Sequence, residues 1–220
     1  MNQRKAVIFD LDGTLLDTLE DLTMAVNHVL TSHGYNPRTD RQVRQALGNG
    51  LERLLRLSLP ETIEEQEFQT LFQEFRPYYV AHCNEKTCPY PGIPELLATL
   101  QQQGIAMAIV SNKAQPAVRE LCRLYFADYM ETAIGESAQV RRKPAPDTVL
   151  KALELLGVSK EDAVYVGDSE VDKATADNVG MDCILVSWGF RDRPLLESLK
   201  AWKIVNAPSE ILEAVQKDDR

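Results

Sequence analysis

No stretch of this chain approaches the roughly 20 consecutive apolar residues of a membrane-spanning helix, which excludes a helical membrane protein. Positive charge is in deficit: 24 Lys and Arg stand against 33 Asp and Glu, for a net charge of −9. That balance suits solubility and argues against a nucleic-acid surface. Cysteine is sparse, and Cys83, Cys88, Cys122 and Cys183 form no Cys-x-x-Cys pair. Free thiols are expected. Cys83 and Cys88 are close enough to share a metal or a disulfide, but nothing nearby completes a ligand set. The three histidines, His28, His33 and His82, leave the rest of the chain without an imidazole, which disfavours a Ser-His-Asp hydrolase. There is no internal repeat and no low-complexity tract. Lys5 leads straight into an apolar run, so no signal peptide is expected and a cytoplasmic location is read.

What the chain does have is acid in unusual places. Ala6-Val7-Ile8-Phe9 is short, apolar and partly β-branched, and it ends in Asp10-Leu11-Asp12-Gly13-Thr14. This predicts a buried strand that turns at Gly13. Two carboxylates at a strand end repel each other, so a divalent cation or a proton must relieve them. Asp and Thr beside Gly also suit a plain capped turn, and the segment alone leaves both readings open.

A second cluster repeats the pattern. Ala163-Val164-Tyr165-Val166 ends in Gly167-Asp168-Ser169, with Asp172 one helical turn further on. Between the two, Ile105–Val110 reads as a strand that delivers Ser111 and Asn112, and Lys143 is followed by two nearby prolines in Pro144-Ala145-Pro146, which define a loop. In a parallel sheet these strand ends share one edge, where open α/β sheets bind ligands. From Pro89 onward, strand and helix patterns alternate. The expected fold is therefore α/β, a Rossmann-like doubly wound parallel sheet, with short strands at Thr132–Ile134, at Cys183–Ser187 and, at an edge, Ile204-Val205. From Asp17 to Asn84 the spacing is helical instead: Leu22, Ala25, Val26, Val29 and Leu30 form one face, and Phe68, Leu71, Phe72, Phe75 and Tyr79 another. Pro77 predicts a kink or break in the second helix. The expected domains are a core of 1–16 with 85–220 and an inserted α-helical lobe of 17–84.

The ordered set DxDGT, SN, KP and GDSxxD resembles the haloacid dehalogenase superfamily. The stretches around Asp10 and Asp168, with Ser187-Trp188-Gly189-Phe190-Arg191, are most similar to its phosphoglycolate phosphatase branch. The resemblance implies a phosphatase with Asp10 as nucleophile, forming an aspartyl-phosphate, and Asp12 as general acid and base. It implies Mg²⁺ held by Asp10, Asp168 and the Asp12 carbonyl, with Asp172, Gly167 and Ser169 in support. Asp172 would act by a water or by orienting Lys143. Gly13, Thr14, Ser111, Asn112 and Lys143 would surround the phosphate. In isolation, Ser111 also reads as a helix cap and Lys143 as a solvated charge.

Asp12 sets the chain apart from the dehalogenases of that superfamily, which lack this acid. The helical lobe would be the cap domain, facing the strand ends and choosing the substrate. Its Gly48-Asn49-Gly50 segment and Arg53 are the candidate selectivity residues, although an exposed helical Arg is the plainer reading of Arg53. The implied partner is a small phosphorylated metabolite, with no nucleic acid or membrane, and either a monomer or a homodimer is compatible. Three other readings stay open: a broader phosphatase for nucleotides, pyrophosphate or sugar phosphates; a mutase of the β-phosphoglucomutase type; and, more remotely, a non-catalytic phosphoacceptor like a response-regulator receiver.

Overall fold

The computed structural model describes residues 4–48 and 50–216. The chain divides into two compact units, one reaching Leu16 and resuming at Pro89, the other spanning Asp17–Cys88.

In the first unit, β1 (Ala6–Asp10) is buried at every position, as expected for a strand covered on both faces. It lies between β4 (Ala106–Ala114) and β6 (Ala163–Gly167). With β5 (Ala133–Glu136), β7 (Cys183–Val186) and β8 (Lys203–Val205) the sheet order is β5-β4-β1-β6-β7-β8. Every neighbouring pair is parallel. Two shorter strands, β2 (Leu16–Asp17) and β3 (Cys88–Pro89), pair separately.

The pleat sends alternate side chains to opposite faces. Val7, Phe9, Ile109 and Val166 pack with α5 (Ile93–Gln102), α6 (Gln115–Tyr125) and α10 (Pro208–Gln216). On the other face, Ile8, Val110, Tyr165 and Leu185 pack with α7 (Asp147–Leu156), α8 (Glu170–Val179) and α9 (Arg193–Ser198). This is the expected doubly wound α/β sheet. Register aligns Asp10 with Val110, and Phe9 with Val166. Asp10, Ser111 and Asp168 therefore emerge side by side at the carboxyl edge, where the strand order reverses around β1.

β2 and β3 are not expected from the sequence, β7 and β8 differ from expectation by one residue, and the larger differences lie in β4 and β5. β4 continues past Val110 to Ala114, because Ala114 pairs with Glu136 across a register shift. β5 accordingly begins at Ala133 and runs to Glu136.

The second unit is helical: α1 (Leu19–Ser32), α2 (Asp40–Ala46), α3 (Leu51–Ser58) and α4 (Glu65–His82). Leu22, Ala25, Val26, Val29 and Leu30 are buried along α1, and Phe68, Leu71, Phe75 and Tyr79 along α4. Thr39 starts α2 with a capping box: its hydroxyl accepts from Gln42 N–H, and the Gln42 side chain accepts from Thr39 N–H. Pro77 does not break α4, which runs through it. The carbonyl that loses its partner belongs to Gln73, an exposed residue, so water can satisfy it. Among the described residues, no helix is long and apolar enough to cross a membrane.

Candidate active site

The turn after β1 sets the first part of the site. Gly13 adopts φ +83°, a conformation that side-chain-bearing residues rarely hold, and its N–H donates to the Leu16 carbonyl. Thr14 N–H reaches back to the Leu11 carbonyl, and the Thr14 carbonyl accepts from Trp188 Nε1 at 3.1 Å. Close approach also demands glycine here: a Cβ on Gly13 would lie 2.4 Å from Asp168 Oδ2. Gly189 is under the same constraint, since its Cβ would lie 2.4 Å from both Asp168 Cβ and the Gly13 carbonyl oxygen. The Asp10 and Asp168 loops can close on each other only because both neighbours lack a side chain.

Asp10, Asp168 and Asp172 each offer a carboxylate oxygen, and these lie within 4.8 Å of one another. Their exposures are only 7%, 2% and 0%. The Lys143 ammonium sits among them. Lys143 Nζ lies 2.7 Å from Asp10 Oδ1 and 2.7 Å from Asp172 Oδ1, and it donates to Tyr165 Oη at 3.1 Å. Its three donors are then all engaged. Asp172 is saturated as well. Its Oδ1 also accepts from Tyr165 Oη at 2.8 Å, and its Oδ2 accepts from Asp168 N–H, Ser169 N–H and Ser169 Oγ. Sitting in the first turn of α8, Asp172 thus braces both the Asp168 loop and Lys143. Asp168 Oδ2 accepts from Phe190 N–H at 2.6 Å.

The electrostatics follow from three buried carboxylates around the Lys143 ammonium, with the Arg191 guanidinium acting on Asp168 and Asp172 as well. Burial, then the Asp172 charge, pushes Asp10 well above the usual carboxylate range despite Lys143. Burial and Asp172 likewise raise Asp168 to about 7. Burial would raise Asp172 too, but the Lys143 ammonium and the hydrogen bonds from Lys143, Ser169 and Tyr165 hold it below the ordinary value. Burial works against the charge of Lys143, yet Asp10 and Asp172 outweigh it and raise its pKa. Excess negative charge in a dry site, offered entirely by carboxylate oxygens, fits a hard divalent cation such as Mg²⁺.

Ser111 Oγ lies 3.5 Å from Asp12 Oδ2. The Asn112 side chain brackets the Lys143 backbone, accepting from its N–H at 2.7 Å and donating to its carbonyl at 3.1 Å. Asn112 thus sets the loop that carries the lysine. The Thr14 hydroxyl is buried and has no hydrogen-bond partner among the described residues. Gly48, Gly50 and Arg53 belong to the helical unit, where Gly50 precedes α3 and Arg53 is exposed on it. Asn49 lies outside the described residues.

Several participants escaped the sequence reading. Tyr165 is fully buried, and its signal was a lone phenol in an otherwise apolar strand. Lys113 Nζ lies 2.9 Å from Asp12 Oδ1, and its adjacency to Ser111-Asn112 could have flagged it. Arg191 grips Glu170 through two hydrogen bonds of 2.6 and 2.8 Å, anchoring the segment that presents Phe190 N–H. Nothing local in the sequence pairs residues so far apart.

Residues 7–186 match the family described as haloacid dehalogenase-like hydrolase. The chain is 34% identical to phosphoglycolate phosphatase 1 of Pseudomonas aeruginosa over 92% of its own length and 76% of the relative's. It is 30% identical to the N-acetylmuramic acid 6-phosphate phosphatase of the same organism, over 97% and 95% of the two chains. Among solved structures, a candidate phosphoglycolate phosphatase from Lactobacillus delbrueckii subsp. bulgaricus superposes with a TM-score of 0.92 at 36% identity, covering 98% of this chain and all of that one.

Proposed function

The chain belongs to the haloacid dehalogenase-like hydrolases, and on that premise we propose that it hydrolyses 2-phosphoglycolate with Mg²⁺ through an aspartyl-phosphate on Asp10. The protein is an enzyme, a phosphoric monoester hydrolase. The observation that carries the mechanism is the placement of Asp10 at the open edge of the central strand, with Lys143 bonded to it and Asp168 beside it.

Phosphoryl transfer depends chiefly on positioning and on stabilising charge. In the first half-reaction an Asp10 oxygen attacks phosphorus and the P–O bond to the substrate alcohol breaks. The electron pair goes to that oxygen, which takes a proton from Asp12. In the second half, a water oxygen attacks phosphorus while giving a proton to Asp12. The P–O bond to Asp10 then breaks, and its electron pair restores the carboxylate. Lys143 orients the nucleophile and offsets phosphoryl charge. Ser111 donates to a phosphoryl oxygen next to the Asn112 backbone, and Gly13 and Thr14 shape the turn below it. Asp10, Asp168 and the Asp12 carbonyl would hold Mg²⁺, with Asp172, Ser169 and Gly167 behind them. Bound there, the ion would neutralise the oxygens of the transferring group.

The curated phosphoglycolate phosphatases among the relatives support the substrate. A phosphosugar is the second reading, favoured by near end-to-end similarity to the N-acetylmuramic acid 6-phosphate phosphatase. Gly48, Asn49, Gly50 and Arg53 are proposed to set that choice. The test is Mg²⁺-dependent phosphate release from 2-phosphoglycolate, N-acetylmuramic acid 6-phosphate, other sugar phosphates, nucleotides and pyrophosphate, with Asp10→Asn alongside. The expected result is highest kcat/KM on 2-phosphoglycolate and no turnover in the variant. Phosphate retained on a sugar would indicate a mutase, and an active Asp10→Asn would end the aspartyl-phosphate reading. If Arg53→Ala leaves every relative kcat/KM unchanged, its selectivity role is withdrawn.

A further inference from the structure

Asp12 is held very differently from the other acids of the site. Asp172 accepts five hydrogen bonds and Asp168 is fixed by Phe190 N–H. Among the described residues, Asp12 Oδ2 meets Ser111 Oγ at a long 3.5 Å, and Oδ1 takes no aligned hydrogen bond. Among the described residues the closest polar partner of its carboxylate is Lys113 Nζ, 2.9 Å from Oδ1.

Lys113 is itself placed by construction. The β4–β5 register shifts between Val110 and Ala114, and strand irregularities of this kind re-aim side chains near functional sites. Lys113 N–H donates to Ser111 Oγ at 3.1 Å, fixing the backbone from which the side chain departs. Gly135 packs under the same bulge so closely that a Cβ there would come within 2.6 Å of the Lys113 carbonyl oxygen. The lysine side chain is 10% exposed and that of Asp12 20%, so the contact is not locked by packing alone.

We propose that Lys113 is a positioning residue for Asp12, holding that carboxylate in the orientation from which it passes a proton to the departing alkoxide. The inference rests on the reading of Asp12 as general acid. Lys143 serves the nucleophile and Lys113 serves the acid. Positioned proton transfer commonly contributes about 10²–10⁴-fold, and Lys113 supports that contribution without touching phosphorus.

The leaving group provides the test. An alkoxide needs the proton as the P–O bond breaks, whereas p-nitrophenolate departs without one. Single-turnover alcohol release is measured for the preferred alkyl phosphate and for p-nitrophenyl phosphate, in wild type, Lys113→Met, Lys113→Gln, Lys113→Arg and Asp12→Asn. Lys113→Met and Lys113→Gln should slow alkoxide release by about 10–100-fold and p-nitrophenolate release far less, with KM unchanged. Lys113→Arg should recover much of the loss.

Equal losses on both substrates, no loss on either, or a rise in KM as the main effect would overturn the proposal while the Asp12 reading stands. If Asp12→Asn itself shows no leaving-group dependence, the general-acid reading fails, and this inference fails with it. The two polar-to-neutral variants guard against a folding defect in one of them, and a matched thermal unfolding midpoint confirms each is folded.

Discussion

Gly13→Ala should cripple the site while leaving the fold standing. The added Cβ would lie 2.4 Å from Asp168 Oδ2, 2.9 Å from Asp168 Cγ and 2.8 Å from Phe190 Cδ2. Ordinary contact begins near 3.4 Å, so the carboxylate must retreat by about 1 Å, a displacement that commonly costs about a hundredfold in rate. It has little room to retreat. Phe190 N–H holds the same oxygen at 2.6 Å, and Gly189 already abuts its other side. The alanine must also adopt Gly13's φ of +83°, a strain of about 1–2 kcal/mol. In a chain of this size that corresponds to a fall in Tm of roughly 2–8 °C. Steady-state kinetics across a Mg²⁺ titration, with thermal unfolding in parallel, would measure both effects. Expected are a kcat reduced about a hundredfold and a raised half-saturating Mg²⁺ concentration in a folded protein. Near-wild-type kcat with an unchanged Mg²⁺ response would refute the argument that glycine here sets the Asp168 position.

Lys143→Met should destabilise the protein by about 3–5 kcal/mol in urea unfolding, because Asp10 and Asp172 would be left buried without their ammonium; wild-type stability would contradict this. The Asp168 pKa is raised to about 7 from an unfolded value of about 3.9, so the folded state binds the proton more tightly. That contribution to stability is full below the unfolded pKa and is lost as pH rises through about 7. The Tm gained on adding Mg²⁺ to the metal-free protein should therefore be larger at pH 8 than at pH 5, and a pH-independent gain would count against this account. Of the four cysteines, Cys83 and Cys88 should react with a thiol reagent in the native protein, whereas Cys122 and Cys183 are buried, their thiol pKa values raised by that burial, and should react only on unfolding. Four fast thiols would mean the core opens readily.

The sequence by itself determined the sheet and which residues stand at its carboxyl edge. Ala6–Phe9 and Ala163–Val166 are short apolar runs read as buried strands, as they prove to be, and each ends in acid beside glycine, which set Asp10 and Asp168 at strand ends before any contact was known. Helical spacing likewise set the 17–84 segment apart as an expectation, and the compact helical unit runs over Asp17–Cys88. Local patterns carry this because burial on two faces or on one leaves a period in the chain.

Tertiary structure alone decided how the acids are held. The polar run Ser111-Asn112-Lys113 reads as the end of a strand, yet β4 continues through it because β5 offers a partner at Glu136. Asp172 looked able to serve a cation or a lysine, and only the fold filled both its oxygens with Lys143, Tyr165, Ser169 and the Asp168 backbone. Lys113 meets Asp12, and Phe190 meets Asp168, across 101 and 22 positions of chain. Hydrogen bonds and ion pairs between such distant residues leave no periodic trace, because they depend on where the sheet brings two loops together and not on what stands beside either residue in sequence.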